Sequence, residues 1–334
     1  MGAEVLSYEA GQTPYPMEQL TDAGDAQTFE SSIAPWSDER SVEPVVLPYG
    51  VLTGGAVSPE SGVDDSVAVA PLTVSMAGSV AANAEGVVTP NVTSPLAVTR
   101  GTGSDTHRIT SITVAAAGTL AAVAGAPGES FTEARGADGG PPWIPDGAVE
   151  IAQVRLSSIA TGQVLASEIF QVPNVHRELA DQPGFDIHFV TGSVKFQYPL
   201  PLIHTGGIPK QVHAKAAMPI FVPIPNARDW SPAETTYNVS SDDTYDGPVA
   251  PREPGRTLGA ATFSAMLKDG LRDSIVRQKG KRIWMKFQPD RDRPYPYRLT
   301  LGVLGVERTW PAGGGNRVGS FTLAPSAESY DVVE

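Results

Sequence analysis

Ser104-Asp105-Thr106-His107 sets a hydroxyl, a carboxylate and an imidazole within four consecutive residues, the side-chain types of nucleophilic hydrolysis. Neighbours this close in sequence rarely converge on one substrate atom, so turn capping is the expected role. No G-x-S-x-G occurs, and the other histidines (His176, His188, His204, His213) lie apart in turn-rich or alternating contexts. A zinc site lacks its pattern as well: there is no H-E-x-x-H, and only a Gly/Pro turn without a carboxylate separates His204 from His213. Asp242, Thr244, Asp246, Gly247 and Glu253 approximate the spacing of a calcium loop. Pro248, Pro251 and Pro254 preclude the helix that follows such a loop, so a solvated acidic loop is the reading. Asp290-Arg291-Asp292-Arg293 pairs two carboxylates beside arginines, Arg298 included, in a turn between Pro289 and Pro294. An ion-pair network across a subunit interface suits that turn better than glycoside or phosphoryl chemistry. Gly101-x-Gly103 lacks the third glycine and the helix of a phosphate-binding fingerprint. No catalytic residue, metal or cofactor is expected.

Positioning falls to short strands. The 34 Gly and 30 Pro in 334 residues make long helices improbable, while 41% hydrophobic residues are enough for a core. Cysteine is absent, which removes disulfides and leaves the redox compartment undetermined. The N-terminus carries Glu4 and Glu9 rather than a basic and apolar leader, and apolar runs such as 112–126 are short and broken. A soluble protein without secretion signal or membrane partner is the expectation. The net charge of −13 argues against nucleic-acid binding as the main task. That charge is uneven: residues 1–65 hold twelve acidic residues and one basic one, whereas 268–298 hold ten basic and four acidic. Either both are solvated surfaces, or an acidic arm docks on the basic face of a neighbouring copy.

Residues 1–44 lack sustained periodicity yet carry Tyr8, Tyr15, Phe29 and Trp36, the pattern of an extended arm that orders on a partner. Residues 45–89 begin the folded part, with strands available to the C-terminal core. Residues 90–180 read as a β-rich satellite domain of small side chains, ending at the turn-rich stretch 173–183. Residues 181–334 form the main core, opening with a hairpin at 185–200. Pro219 and Pro223 give the strands of 212–224 an edge or bulged position. The polar stretch 226–254 is a long functional or disordered loop. Beyond it, 261–267 reads as a strand, 271–278 as one short helix, and 281–288, 297–308 and 318–323 as three antiparallel strands. Candidate core residues are Phe263, Leu271, Ile275, Ile283, Met285, Phe287, Leu301, Val303 and Phe321. Either Trp284 or Phe287 joins this core, and the other face meets a neighbour. The fold class is therefore all-β with one short helix.

The C-terminal block resembles the major tail (tail tube) proteins of long-tailed bacteriophages. The likeness rests on Lys281-Arg282-Ile283-Trp284-Met285-Lys286-Phe287-Gln288-Pro289-Asp290, Gly302-Val303-Leu304-Gly305-Val306, Thr309-Trp310-Pro311-Ala312-Gly313 and Ser320-Phe321-Thr322-Leu323. It extends upstream through Pro201-Leu202-Ile203-His204-Thr205-Gly206-Gly207, and Asp105 to Ile112 looks like an inserted domain of some relatives. It covers half to two-thirds of the chain, and the order of elements carries it rather than any one motif. The resemblance implies a tail-tube-type β-sandwich or barrel, six copies to a ring, and stacked rings forming the tube through which the genome leaves. Partners would be further copies and other tail proteins, with DNA in transit and a virion location. Tyr8, Tyr15, Phe29, Trp36, Lys279, Lys281, Arg282, Asp290, Arg291, Asp292 and Arg293 become the candidate inter-subunit contacts. A tail adhesin or decoration module binding a host surface or carbohydrate is the alternative.

Overall fold

The computed structural model describes residues 3–38, 43–173, 175–180, 183–238, 243–244, 247–248, 255–312 and 315–333. The chain is nearly all β. Its helical content among the described residues is two three-residue 3-10 turns, Ala166–Glu168 and Val276–Gln278. No helix among them is long and apolar enough to cross a membrane, which says nothing about a β-barrel. Two compact units divide the chain: residues 1–14, 35–43 and 217–334 form one, residues 15–34 and 44–216 the other.

An eight-stranded antiparallel sheet forms the first unit, in the order Ala217–Pro223, Val5–Pro14, Arg282–Gln288, Tyr297–Thr309, Val318–Pro325, Ala261–Met266, Ala227–Ser231, with Tyr330–Val332 beside Tyr297–Thr309. The path is open at both ends, so the barrel alternative does not apply among the described strands. The C-terminal strands arise where expected because their alternation and the turns between them are local signals. Phe263, Ile275, Ile283, Met285 and Phe321 are buried in one cluster with Leu6 and Tyr8, and Phe287 packs half-buried against it. Phe263 and Phe321, opposite each other across the ladder, stack with centroids 4.5 Å apart. Gly302 has a steric reason: a Cβ there would lie 2.4 Å from the Ala324 carbonyl oxygen.

Three expectations for this unit need correction. Residues 1–44 are not an arm without a core, because Val5–Pro14 lies inside the sheet, between Ala217–Pro223 and Arg282–Gln288. Its alternation is concealed by composition: Leu6 and Tyr8 face the apolar cluster, while the intervening Ser7 and Glu9 are polar and buried too. The helix over 271–278 is reduced to Val276–Gln278. Here Asp273 accepts the backbone N–H groups of Lys268, Asp269 and Gly270, and Asp269 those of Leu271 and Arg272, so local side-chain bonds hold 268–273 in turns. Two candidate core positions are at the surface, Leu271 at 66% and Val303 at 41% exposure. Leu271 lies in the turn that replaced the helix, and Val303 alternates with buried Gly302 and Leu304. Leu301 is buried on the sheet's second face.

In the second unit, strands Gly50–Gly54, Val57–Pro59, Ser66–Val69 and Leu72–Ser75 share one apolar cluster with Arg108–Val114 and Val149–Leu156. Residues 45–89 therefore belong with 90–180 rather than with the C-terminal sheet, and the boundary falls at 216/217, not at 180. Composition placed a break at 173–183, but hydrophobic contacts between distant strands override it. The hairpin Phe185–His188 with Ser193–Phe196 forms as expected and is extended by Thr28–Glu30. Val212–Lys215 and Ala217–Pro223 join different sheets, and the second is an edge strand, as its prolines require.

Candidate functional site

The arm aromatics do not form a docking surface. Tyr8 is 2% exposed, and Trp36 is fully buried beneath the sheet, where Trp284 Nε1 donates to its carbonyl at 3.0 Å. Phe29 is buried edge-to-face against Phe196, with centroids 5.7 Å apart, and Tyr15 is half-buried with its N–H on the Ala216 carbonyl. Burial within the chain leaves Tyr8, Phe29 and Trp36 no surface for a neighbour. Their intervening polar residues misled the reading, because Glu9 and Ser37 are buried partners of one another and Glu9 also accepts the backbone N–H of Trp284 at 3.2 Å.

Of the basic stretch, Lys279 and Lys281 are exposed, and Arg282 pairs with Asp38 at 2.5 Å within the same unit. Asp290 to Arg293 closes on itself: Asp290 accepts the Asp292 N–H at 3.1 Å and stands 3.7 Å from the Arg293 guanidinium. The Arg291 N–H donates to the Ala3 carbonyl. Arg298 leaves that group and binds Asp331 and Glu234 instead, which raises its already high pKa. The calcium-like positions Asp242, Asp246 and Glu253 lie outside the described residues.

The histidines are separately employed. His107 meets Thr106 and the Phe131 ring, and His204 Nδ1 lies 3.0 Å from the Pro145 carbonyl, which fixes it as the donor. His176 packs against Arg155 and Phe170, and His188 meets Thr191. A buried Ser–His pair, Ser75 and His213 at 2.9 Å, was invisible in sequence because 138 residues separate them. The Ala77 N–H approaches His213 Nδ1 at 3.4 Å, so Nε2 carries the proton and donates to Ser75. A general base for Ser75 would need the opposite tautomer, so the pair is structural.

Burial lowers the His213 pKa to about 4. The unfolded chain binds the proton more readily, so stability is complete above about pH 6.5 and is lost as pH falls from there to about 4, by about 3 kcal/mol. Denaturant unfolding at pH 7 and pH 4.5 should show this loss, and His213→Asn should reduce the slope between them.

Two further features escaped the sequence reading. Glu150, 2% exposed, meets Arg135 at 2.7 Å and accepts from Ser111 and Gln153. A lone carboxylate inside the apolar strand Val149–Leu156 was its signal. Glu178 lines a cavity of about 340 Å³ with Arg135, Arg177 and Lys210, and neither carboxylate oxygen has a hydrogen-bond partner. Burial pushes its carboxyl well above the usual range, against the pull of Lys210. Among the described residues, no cluster of three or more His, Cys, Asp or Glu is placed to hold a metal.

No family model and no curated protein matches the chain. Ile220 and Val222 lie two residues apart on the edge strand Ala217–Pro223, 44% and 37% exposed. At the opposite edge, Ala227–Ser231 pairs, among the described strands, with Ala261–Met266 alone. Among the described strands, Thr235–Asn238 pairs with Gly255–Leu258 and Asp243–Thr244 with Gly247–Pro248, so the polar stretch 226–254 contains strands.

Proposed function

We propose that the chain is a self-assembling structural subunit of a bacteriophage tail tube, joined to its neighbours through the edges of the eight-stranded sheet. The observation that carries this reading is a large sheet that ends, among the described strands, on two strands paired on one side only, one of them bearing exposed Ile220 and Val222. A sheet edge is a template for another strand where its N–H and C=O groups are free; Pro219 and Pro223 lack an N–H and the Ala217 carbonyl accepts from Ser37, so pairing would centre on Ile220 to Val222. The two edges differ, so joining one to the other is a head-to-tail contact that repeats until a ring closes. The tail-tube resemblance of the C-terminal block supplies the expected product: rings, sixfold in that family, stacked into a virion tube. The paired strands Thr235–Asn238 and Gly255–Leu258 would bridge rings, and the charge of −13 per copy would let DNA pass without adhering.

Electron microscopy of the purified chain tests this, with rings or tubes expected. Ile220→Lys with Val222→Lys should raise the concentration needed for assembly by roughly tenfold or more while leaving the circular dichroism unchanged. Isolated trimers with no rings would reject the tube and favour an adhesin or decoration module.

A further inference from the structure

We propose that a cavity in the sheet unit, the one formed by residues 1–14, 35–43 and 217–334, binds a carboxylate on a short aliphatic stem. The cavity has a volume of about 250 Å³ and lies between Val5–Pro14, the connection 224–226 and the turn 267–275 that follows Ala261–Met266. Two backbone bonds hold its walls in place. The Ile224 N–H donates to the Leu6 carbonyl at 2.8 Å, and the Leu267 N–H to the Arg317 carbonyl at 2.9 Å.

Tyr8 lines the cavity, is 2% exposed and sets its ring in the main apolar cluster. Its hydroxyl has no hydrogen-bond partner among the described residues, yet it is not sealed in: the cavity is where it meets water. A buried tyrosine hydroxyl usually finds a partner inside the protein. This one is left to whatever fills the cavity. Around it, Ile224, Pro225, Ala265, Leu267 and Ile275 supply apolar side chains. Apolar walls with a single placed hydroxyl are the form of a small-ligand site.

The turn 267–275 decides the sign of the ligand. Lys268 and Arg272 line the cavity, are exposed, and form no ion pair among the described residues. Asp269 and Asp273 line it too, but they accept five backbone N–H groups of their own turn. Arg308 and Arg317 donate to the Gly270 and Lys268 carbonyls of that turn, each at 2.7 Å. Four cations thus gather around two occupied carboxylates, and an anion gains more there than an ammonium group. A carboxylate accepting from the Tyr8 hydroxyl makes a charge-assisted hydrogen bond. The methylenes behind it gain by covering the apolar walls, which inorganic phosphate would leave bare.

The test titrates the full chain with sodium hexanoate at neutral pH, followed by calorimetry. Saturable binding is expected, weaker by about tenfold in Tyr8→Phe, which is about 1.4 kcal/mol and removes the hydroxyl while keeping the ring. Arg272→Gln, at the surface, should weaken binding severalfold at low salt, and it decides the matter should Tyr8→Phe fail to fold by circular dichroism. 1-Hexanol and n-hexylamine, with the same stem, should bind at least tenfold more weakly than hexanoate. Equal binding of N-acetyl-glycyl-leucine assigns the natural carboxylate to a peptide C-terminus, and binding of hexanoate alone assigns it to a free acid. Either supports the site. No saturable hexanoate binding by the folded chain overturns it, as does binding unchanged in Tyr8→Phe. Hexanol or hexylamine binding as tightly as hexanoate overturns it as well. The outcome is independent of whether the chain builds tubes.

Discussion

Replacing Trp284 by alanine is expected to destabilise the sheet unit by about 3–5 kcal/mol, close to the upper limit for a single large-to-small change. Trp284 is 1% exposed, on the face of Arg282–Gln288 opposite the main apolar cluster. Its indole N–H donates to the Trp36 carbonyl at 3.0 Å, and its backbone N–H donates to buried Glu9. Truncation therefore opens a cavity beside fully buried Trp36 and removes a hydrogen bond at the same place. Trp284→Phe keeps most of the volume and should cost less, about 1–2 kcal/mol, which separates the packing loss from the lost donor. Denaturant unfolding followed by tryptophan fluorescence measures both. A loss below about 1 kcal/mol for alanine would mean that residues 35–38 do not cover this face.

Arg135→Met should be comparably damaging to the other unit, at about 3–5 kcal/mol, because it leaves the Glu150 carboxylate buried without its cation. Glu150 is 2% exposed, and its remaining polar contacts come from Ser111 and Gln153. Two hydrogen bonds do not replace a guanidinium at 2.7 Å. The discriminating measurement is the double variant Arg135→Met with Glu150→Gln, which removes both charges together. It should recover much of the loss, since the penalty belongs to the stranded charge rather than to the missing contact. Equal stability of the single and double variants would show that the cost is one of packing.

Both predictions turn on buried polar residues, and these are where reading from sequence was weakest. Glu9 and Ser37 look like a solvated arm until their partners are known, because an acidic, aperiodic stretch gives no sign that something will cover it. Glu150 sits in an apolar run and was passed over for the same reason: its partner Arg135 lies in a loop of unremarkable composition. Ser75 and His213 meet across 138 residues, beyond any motif. The helix over 271–278 had the right spacing, but Asp269 and Asp273 bind the backbone locally and hold it in turns.

The amino-acid sequence by itself determined the β class and the strands Ala261–Met266, Arg282–Gln288, Tyr297–Thr309 and Val318–Pro325, to within a residue or two at their ends. Alternation, proline and turn residues act over a few positions, so they can be read without knowing the fold. Only the tertiary structure decided that Val5–Pro14 enters the sheet between Ala217–Pro223 and Arg282–Gln288, that residues 45–89 share a core with 90–180, and which polar groups lie inside. Those outcomes depend on contacts between residues far apart in the chain. Their free energy comes from water excluded by both partners at once, and no single segment carries a record of it.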